Sequence, residues 1–220
     1  TPVMRFVLPD GSDLDAASYQ IAEIESIDGD LADIKLEGTK GKKCSLKYEE
    51  GKVYLVVEGV RDAASVLWSG QNSAIWNYAL DMNFMDGSDV SYFVENDKVN
   101  FTDDASVFNV ELQGELPCDT VFVNNTKNYT FSGTGAISGG ATLVKSGSGR
   151  LTVSTDNTYT GGNRISGGVV SVSSLSNANQ AHGNLGAMTT NPLHFVIENG
   201  ATLMTDRKST RLNSSHQVLS

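Results

Sequence analysis

The chain has 220 residues, of which 39% are hydrophobic and 19% are charged, and its net charge is −10. This length suits one large domain or two small ones, and the surplus of small polar residues and glycine is typical of all-β chains with many turns. The acidic balance argues against nucleic acid and anionic membranes as partners, because phosphate contacts require clusters of Lys and Arg. No run of about 18 apolar residues occurs, so no membrane-spanning helix is predicted.

The first 60 residues are predicted to form short antiparallel strands that close a preceding repeat unit. The stretch CSLKYEEGKVYLVVEG indicates a hairpin around Glu50 and Gly51, because glycine takes the positive φ that a tight turn needs. The lysines of this hairpin, Lys42, Lys43, Lys47 and Lys52, are expected on its solvent face. The chain opens TPVMRFVLPDG, strand-like and without an initiator Met, and we interpret it as a fragment of a longer protein.

Residues 61–120 are rich in aromatic side chains and are interpreted as the lead-in of the next unit. The stretch AIWNYALDMNF is expected to form one or two helical turns, and Asp86-Gly87-Ser88 a reverse turn. Trp68, Trp76 and Tyr78 are candidates for stacking against a sugar ring. Packing of the two tryptophans at a junction between modules is the favoured interpretation.

Residues 121–206 are predicted to form a β-solenoid. The stretch Ile137–Leu143 returns in altered form from Ile165 and again from Ile197, at spacings of 28 and 32 residues. Such internal similarity indicates stacked units that bury a core only between neighbours. An antiparallel β-sandwich is the main alternative, because its strands also alternate between apolar and polar residues.

Between the glycine corners, every second side chain of the solenoid is expected to point inward. The inward set is Leu143, Leu151, Val153, Val170, Val172, Phe195, Ile197 and Leu203. The outward set is Thr142, Thr152, Ser154, Ser171 and Ser173.

The stretch GGATLVKSGSGRLTVSTDNTYTGGNRISGGVVSV resembles the autotransporter-associated β-strand repeat family. The residues on matching positions or repeat glycines are Gly139, Gly140, Lys145, Gly147, Gly149, Leu151, Asn157, Tyr159, Thr160, Gly161, Gly162, Gly167 and Gly168. Arg150 stands where that pattern has a small Thr, and Val153 replaces Leu. The resemblance implies a β-helical passenger of a large exported bacterial protein and implies no particular activity.

The chemistry of catalysis and metal binding is sparse. The regular region holds two acids, Asp156 and Glu198, in dissimilar contexts, and no GxSxG, HExxH or Walker A string occurs. His182 and His194 are expected in turns or at the surface. Two oxygen-rich stretches, DGSDLD at residues 10–15 and TDDA at residues 102–105, are expected to be solvated turns and not calcium sites.

Cys44 and Cys118 lack the spacing of a zinc site, and the sequence leaves open whether they form a disulfide. We therefore expect neither a cofactor nor a metal.

The sequence predicts an all-β fold, with a right-handed parallel β-helix or solenoid preceded by short antiparallel β segments. The expected function is that of a structural or adhesive segment at the cell surface, outside the cell and associated with the outer membrane. Its expected partners are extracellular glycans, a host or neighbouring cell surface, and neighbouring repeat units. A carbohydrate-binding module and a β-helix enzyme that cleaves polysaccharides are the alternatives. Residues 207–220 resemble a translated adapter sequence and are interpreted as a non-native tail.

Overall fold

The computed structural model of the chain describes residues 2–7, 14–39 and 42–205, and the backbone of residues 217–219. It divides into two compact units, Thr1–Asp62 and Ala63–Ser220. The described residues contain no α-helix and two short 3-10 helices, Leu31–Asp33 and Pro192–His194. The chain is all-β, as its composition predicts.

The N-terminal unit contains a three-stranded antiparallel sheet and a parallel strand pair. Its strands are β1 (Val3–Arg5), β2 (Ser18–Glu23), β3 (Lys35–Glu37), β4 (Lys42–Glu49) and β5 (Lys52–Val60). The order of the sheet is β2-β5-β4, and β1 pairs with β3. The predicted hairpin is confirmed: Glu50 and Gly51 connect β4 to β5 with φ values of 52° and 78°. Of its lysines, Lys43 and Lys47 are exposed and Lys42 and Lys52 are half-buried.

The C-terminal unit is built from seventeen strands among the described residues. In chain order they are β6 (Ser65–Trp68), β7 (Ile75–Trp76), β8 (Phe84–Asp86), β9 (Asp89–Ser91), β10 (Lys98–Phe101), β11 (Asn109–Leu112), β12 (Glu115–Pro117), β13 (Thr120–Asn124), β14 (Tyr129–Gly133), β15 (Ala136–Ser138), β16 (Thr142–Ser146), β17 (Arg150–Val153), β18 (Gly162–Ile165), β19 (Val169–Val172), β20 (Phe195–Ile197), β21 (Thr202–Thr205) and β22 (Gln217–Leu219).

These strands form two large sheets. The order of the eight-stranded sheet is β20-β18-β16-β13-β10-β6-β8-β9, and that of the seven-stranded sheet is β22-β21-β19-β17-β14-β11-β7. The strands from β6 to β20 pair in parallel along the first sheet, and those from β7 to β21 along the second. Consecutive strands therefore alternate between the sheets, and each returns beside its predecessor. We call one such circuit a passage.

The passages are shorter than the sequence repeat suggests. Thr120 pairs with Thr142, and Thr142 pairs with Gly162, so successive passages are 22 and 20 residues apart. The 32-residue spacing is a true passage, because Ile165 pairs with Ile197. The 28-residue spacing is not: Ile137 pairs with Leu116 in the small β12-β15 sheet, so the first copy of the motif lies at a different corner.

The interior of the unit consists of columns of apolar side chains, one from each stacked strand. Val110, Phe131, Val153 and Val172 form one such column and are all buried. Six of the eight residues predicted to point inward are buried, and the other two, Phe195 and Ile197, are half-buried. Because Val153 and Val172 pair in parallel, the sandwich alternative is wrong for this region.

The start of the C-terminal unit contains the one clear error in the predicted secondary structure. The expected helical turns over residues 74–84 are absent, and Ile75–Trp76 is a short strand beside β11. The buried Asn83 side chain accepts hydrogen bonds from the amides of Asn72 and Ser73 and donates to the carbonyl of Ile75. It thereby binds backbone groups that a helix would pair with each other. The turn between Asp86 and Asp89 is confirmed.

The predicted non-native tail, residues 207–220, lies outside the described residues except for β22. The backbone of β22 pairs antiparallel with β21.

Candidate functional site

The two tryptophans lie at the centre of an aromatic cluster and not on the surface. Trp68 and Trp76 have no exposed area, and both rings pack against Phe84 and Phe101. The indole Nε1 of Trp68 donates a hydrogen bond to the carbonyl of Val107 at 2.8 Å. The favoured interpretation, packing, describes both residues.

Neither tryptophan therefore presents a ring face on which a sugar could stack. Tyr78 is 40% exposed and is the candidate of the three that reaches solvent. Its ring packs edge-on against Phe93.

Two glycines of the repeat motif occupy places that no other residue fits. Gly147 has a φ of +73°, and a Cβ atom there would overlap the carbonyl oxygen of Asn125 in the preceding passage. Gly168 has a φ of +64°, and a Cβ atom there would overlap the carbonyl oxygen of Gly149. The corners therefore stack backbone against backbone, which requires glycine both for the conformation and for the space.

Lys145 is a buried cation that holds two successive corners together. It lies in β16 between Val123 and Ile165 of the neighbouring strands, and it has no exposed area. Its Nζ donates to the carbonyl oxygens of Ser146 at 2.5 Å, Gly147 at 3.1 Å and Gly167 at 3.4 Å. Burial lowers the pKa of Lys145 to about 8.

The inward position of Lys145 was missed by the sequence analysis, which treated the residue only as part of the motif. The signal was present, because Lys145 follows the inward Leu143 by two positions and strand side chains alternate.

The Asn-Thr-Tyr-Thr-Gly-Gly string of the motif binds the backbone of residues 183–187. Asn157 exchanges backbone hydrogen bonds with Gly183, and its Nδ2 donates to the carbonyl of Asn184 at 2.8 Å. The Oδ1 of Asn157 accepts from the amide of Ile137 at 2.9 Å. One buried side chain thereby joins three parts of the chain.

Tyr159 continues this contact with residues 183–187. Its hydroxyl donates to the Oδ1 of Asn163 at 2.6 Å, and Asn163 in turn donates to the carbonyl of Leu185 at 2.9 Å. Burial raises the pKa of the Tyr159 phenol far above its ordinary value. The motif therefore attaches the long connection after β19 to the stack.

The two acids of the regular region lie in separate ion pairs. Asp156 contacts the Nδ1 of His182 at 2.8 Å, and both side chains are exposed. Glu198 forms a two-point contact with Arg164 at 3.0 and 3.1 Å. The two carboxylates are thus not arranged as a pair. His194 lies in the 3-10 helix and its Nε2 is 2.7 Å from the carbonyl of Thr160.

Neither oxygen-rich stretch forms a described cation site. Asp103 accepts hydrogen bonds from the backbone amides of Lys127 and Thr126, which lower the pKa of its carboxyl. Asp10, Ser12 and Asp13 lie outside the described residues. Across the described part of the chain, no three His, Cys, Asp or Glu side chains are grouped closely enough to hold a metal ion.

The cysteines are free thiols, and they lie in different units. Cys44 is half-buried and Cys118 is fully buried, and burial raises the pKa of both thiols. Cys44 lines a cavity of about 540 Å³ between the first 3-10 helix and β4. A raised thiol pKa reduces the thiolate fraction at neutral pH, which is the opposite of what a nucleophilic cysteine requires.

Comparison with known proteins agrees with this architecture. The family model of the passenger-associated-transport-repeat matches residues 143–172, the part that contains the buried lysine and the Asn157 contacts. The adhesin BmaC autotransporter of Brucella suis biovar 1 (strain 1330) is 33% identical over 100 residues, which cover 42% of this chain. The match spans 3% of that adhesin. No solved structure matches the chain significantly.

No helix in the described part of the chain is both long and apolar enough to cross a bilayer. The motif, its structural context and the similarity to an autotransporter adhesin agree with the resemblance found in the sequence. The chain belongs to the autotransporter passenger repeat family.

Proposed function

We propose that the C-terminal unit is a right-handed parallel β-helix that serves as a structural and adhesive passenger segment of an exported bacterial surface protein. The observation that supports this most strongly is the uninterrupted parallel pairing from β6 to β20, with passages of about 20 residues and a buried interior. A stack of this kind gains stability from each added passage, and it suits a long, stiff projection.

The segment is proposed to act without catalysis. A glycoside-cleaving site needs two carboxylates at a set separation, and here Asp156 and Glu198 are each engaged by a different cation. The described interior contains hydrocarbon side chains, amides and one lysine, all of them involved in packing or backbone contacts. A reducing-sugar assay with a panel of polysaccharides is expected to show no product, and release of sugar would favour the enzyme alternative.

The proposed location is the outer surface of the cell, where the segment is continuous with neighbouring repeat units of its parent protein. Its proposed partners are surfaces of host or neighbouring cells and extracellular glycans. The adhesin similarity supports this assignment, although the chain spans only 3% of that relative. The charge of −10 is compatible with a solvated exterior.

Adhesion is tested with beads that carry the full chain, incubated with cultured cells and with immobilised glycans. The expected result is retention on cells above that of beads carrying an inert acidic protein. Retention no greater than the control would contradict an adhesive role. Loss of glycan binding in Tyr78→Ala would favour the carbohydrate-binding alternative, because Tyr78 is exposed whereas Trp68 and Trp76 are buried.

A further inference from the structure

The outer face of the eight-stranded sheet carries a column of mainly apolar side chains that no function above explains. Successive register pairs connect Met85, Leu67, Asn100, Phe122, Val144 and Arg164 across six neighbouring strands. We call this set the outer column. Its two ends continue into Val90 on β9 and Val196 on β20.

The outer column is accessible to solvent. Phe122 is 37% exposed and Val90 is 42% exposed, while Leu67, Met85 and Val144 are half-buried by their neighbours in the sheet. Single exposed hydrophobic residues need no explanation, but a contiguous apolar row marks an interaction surface.

The outer column is also free of net charge, in a chain whose net charge is −10. Its one charged member, Arg164, is neutralised by the two-point contact with Glu198. Two copies of an acidic chain repel each other over most of their surface. A face without net charge is where that repulsion is weakest.

The other large sheet provides an internal comparison. The corresponding outward column of the seven-stranded sheet runs through Asn109, Thr130, Thr152 and Ser171. These side chains hydrogen-bond readily to water, and they offer little apolar area. The difference between the two faces therefore cannot be attributed to β-structure in general.

We propose that the outer column is a self-association surface, on which a second copy of this chain docks face to face about a twofold axis. An axis between Asn100 and Phe122 places each of these residues opposite the other in the partner copy. The same axis places Leu67 opposite Val144 and Met85 opposite Arg164. Outward rows of two sheets pack in this way at a spacing of about 10 Å.

The size of the surface predicts a weak association. Eight strands at about 4.8 Å each and three columns at about 6.6 Å each give a patch of roughly 35 by 13 Å. Both partners together would bury about 900 Å², which is below the roughly 1,200–2,000 Å² of stable interfaces. We therefore expect a dissociation constant of about 0.1–1 mM for the isolated chain. Many copies on facing surfaces would strengthen the contact through multivalency.

The first experiment is sedimentation velocity of the full chain over a concentration series up to about 1 mM. The wild type is expected to show a reversible, concentration-dependent monomer–dimer equilibrium that added sodium sulfate strengthens. A wild type that remains monomeric across the series would overturn the proposal, and so would a monomer that binds an immobilised polysaccharide through Phe122. Because this assay contains only the purified chain, its failure leaves adhesion to cells unaffected.

Charge substitutions then test the face and the axis. Val144→Asp and Leu67→Lys are each expected to raise the dissociation constant at least about tenfold, and Phe122→Ser is a milder variant with the same direction of effect. Thr152→Asp, on the hydroxyl face, is the matched control and is expected to change nothing. Unchanged self-association in Val144→Asp would exclude the outer column as the interface.

A mixture of Val144→Asp with Leu67→Lys tests the axis itself. In a mixed dimer the new carboxylate faces the new ammonium, while the second Leu67–Val144 contact is unaltered. Association is therefore expected to return in the mixture, and its absence would overturn the proposed axis. Tryptophan fluorescence confirms folding of each variant, because Trp68 and Trp76 are both buried in this unit.

Discussion

Adjacent residues on β17 provide a direct test of which side chains point into the stack. Leu151 has no exposed area and lies between Tyr129 and Val170, which are buried partners in the neighbouring strands. Thr152 is half-buried and lies on the opposite face of the same strand. We therefore expect Leu151→Asp to destabilise the unit strongly and Thr152→Asp to have little effect.

The expected magnitude follows from burial. A fully buried leucine contributes about 1.5–3 kcal/mol, and burying a polar group without a partner costs at least roughly 2 kcal/mol more. Leu151→Asp should therefore lower the free energy of unfolding by about 4–5 kcal/mol at neutral pH. Thr152→Asp should lower it by about 1 kcal/mol or less, the range of strand propensity at a solvated position.

The destabilisation by Leu151→Asp should also depend on pH. The apolar surroundings raise the pKa of the introduced carboxyl above its unfolded value of about 3.9. The native state then holds the proton to a higher pH than the unfolded state does. The loss is therefore smallest below about pH 4 and increases as the pH rises through the native pKa.

Urea unfolding followed by tryptophan fluorescence is the appropriate assay, because both tryptophans of the chain lie in the C-terminal unit. The signal therefore reports this unit separately from the N-terminal one. Equal unfolding midpoints for the two variants would show that the assignment of inward and outward residues is incorrect.

Three further predictions concern the motif. Gly147→Ala should destabilise the unit by about 1–3 kcal/mol in urea unfolding because its φ is positive and its corner has no space, whereas Gly140→Ala, in open space without a positive φ, should be close to neutral. Asn157→Ala should leave a buried amide and a buried carbonyl unpaired, so hydrogen exchange of residues 183–187 should accelerate before the rest of the unit unfolds. Lys145 has a native pKa of about 8, below its model value of 10.5, so the unfolded state binds more protons between these values. The stability of the wild type relative to Lys145→Met should therefore rise from about pH 8 towards pH 10, and a flat difference would contradict the assigned burial.

Alternation and glycine corners were sufficient to predict much of the stack. Leu151, Val153, Val170 and Val172 were assigned to the interior from period-two spacing alone, and all four are buried. The hairpin turn at Gly51 was equally readable, because few residues tolerate its φ of 78°. These features depend on local chemistry, which a sequence displays directly.

Features that depend on distant partners were not predictable. Lys145 is stabilised by carbonyls of two corners, and only one of those corners is adjacent in sequence. The helix expected near Trp76 was displaced by hydrogen bonds from the side chain of Asn83. The 28-residue spacing was misleading because similar corner sequences serve two different corners of a passage. The outer column becomes visible only when strands far apart in sequence are aligned.

Disulfide trapping tests the parallel register most directly. With Cys44→Ser to remove the more accessible native thiol, Thr152→Cys and Ser171→Cys would place two thiols on adjacent, paired strands. Such strands lie about 4.8 Å apart, within the Cα separation that a disulfide spans. Thr130→Cys with Ser171→Cys is the matched control, two strands apart on the same column. The stacked arrangement predicts rapid oxidation of the first pair and none of the second; the reverse result, or equal rates for both pairs, would contradict it.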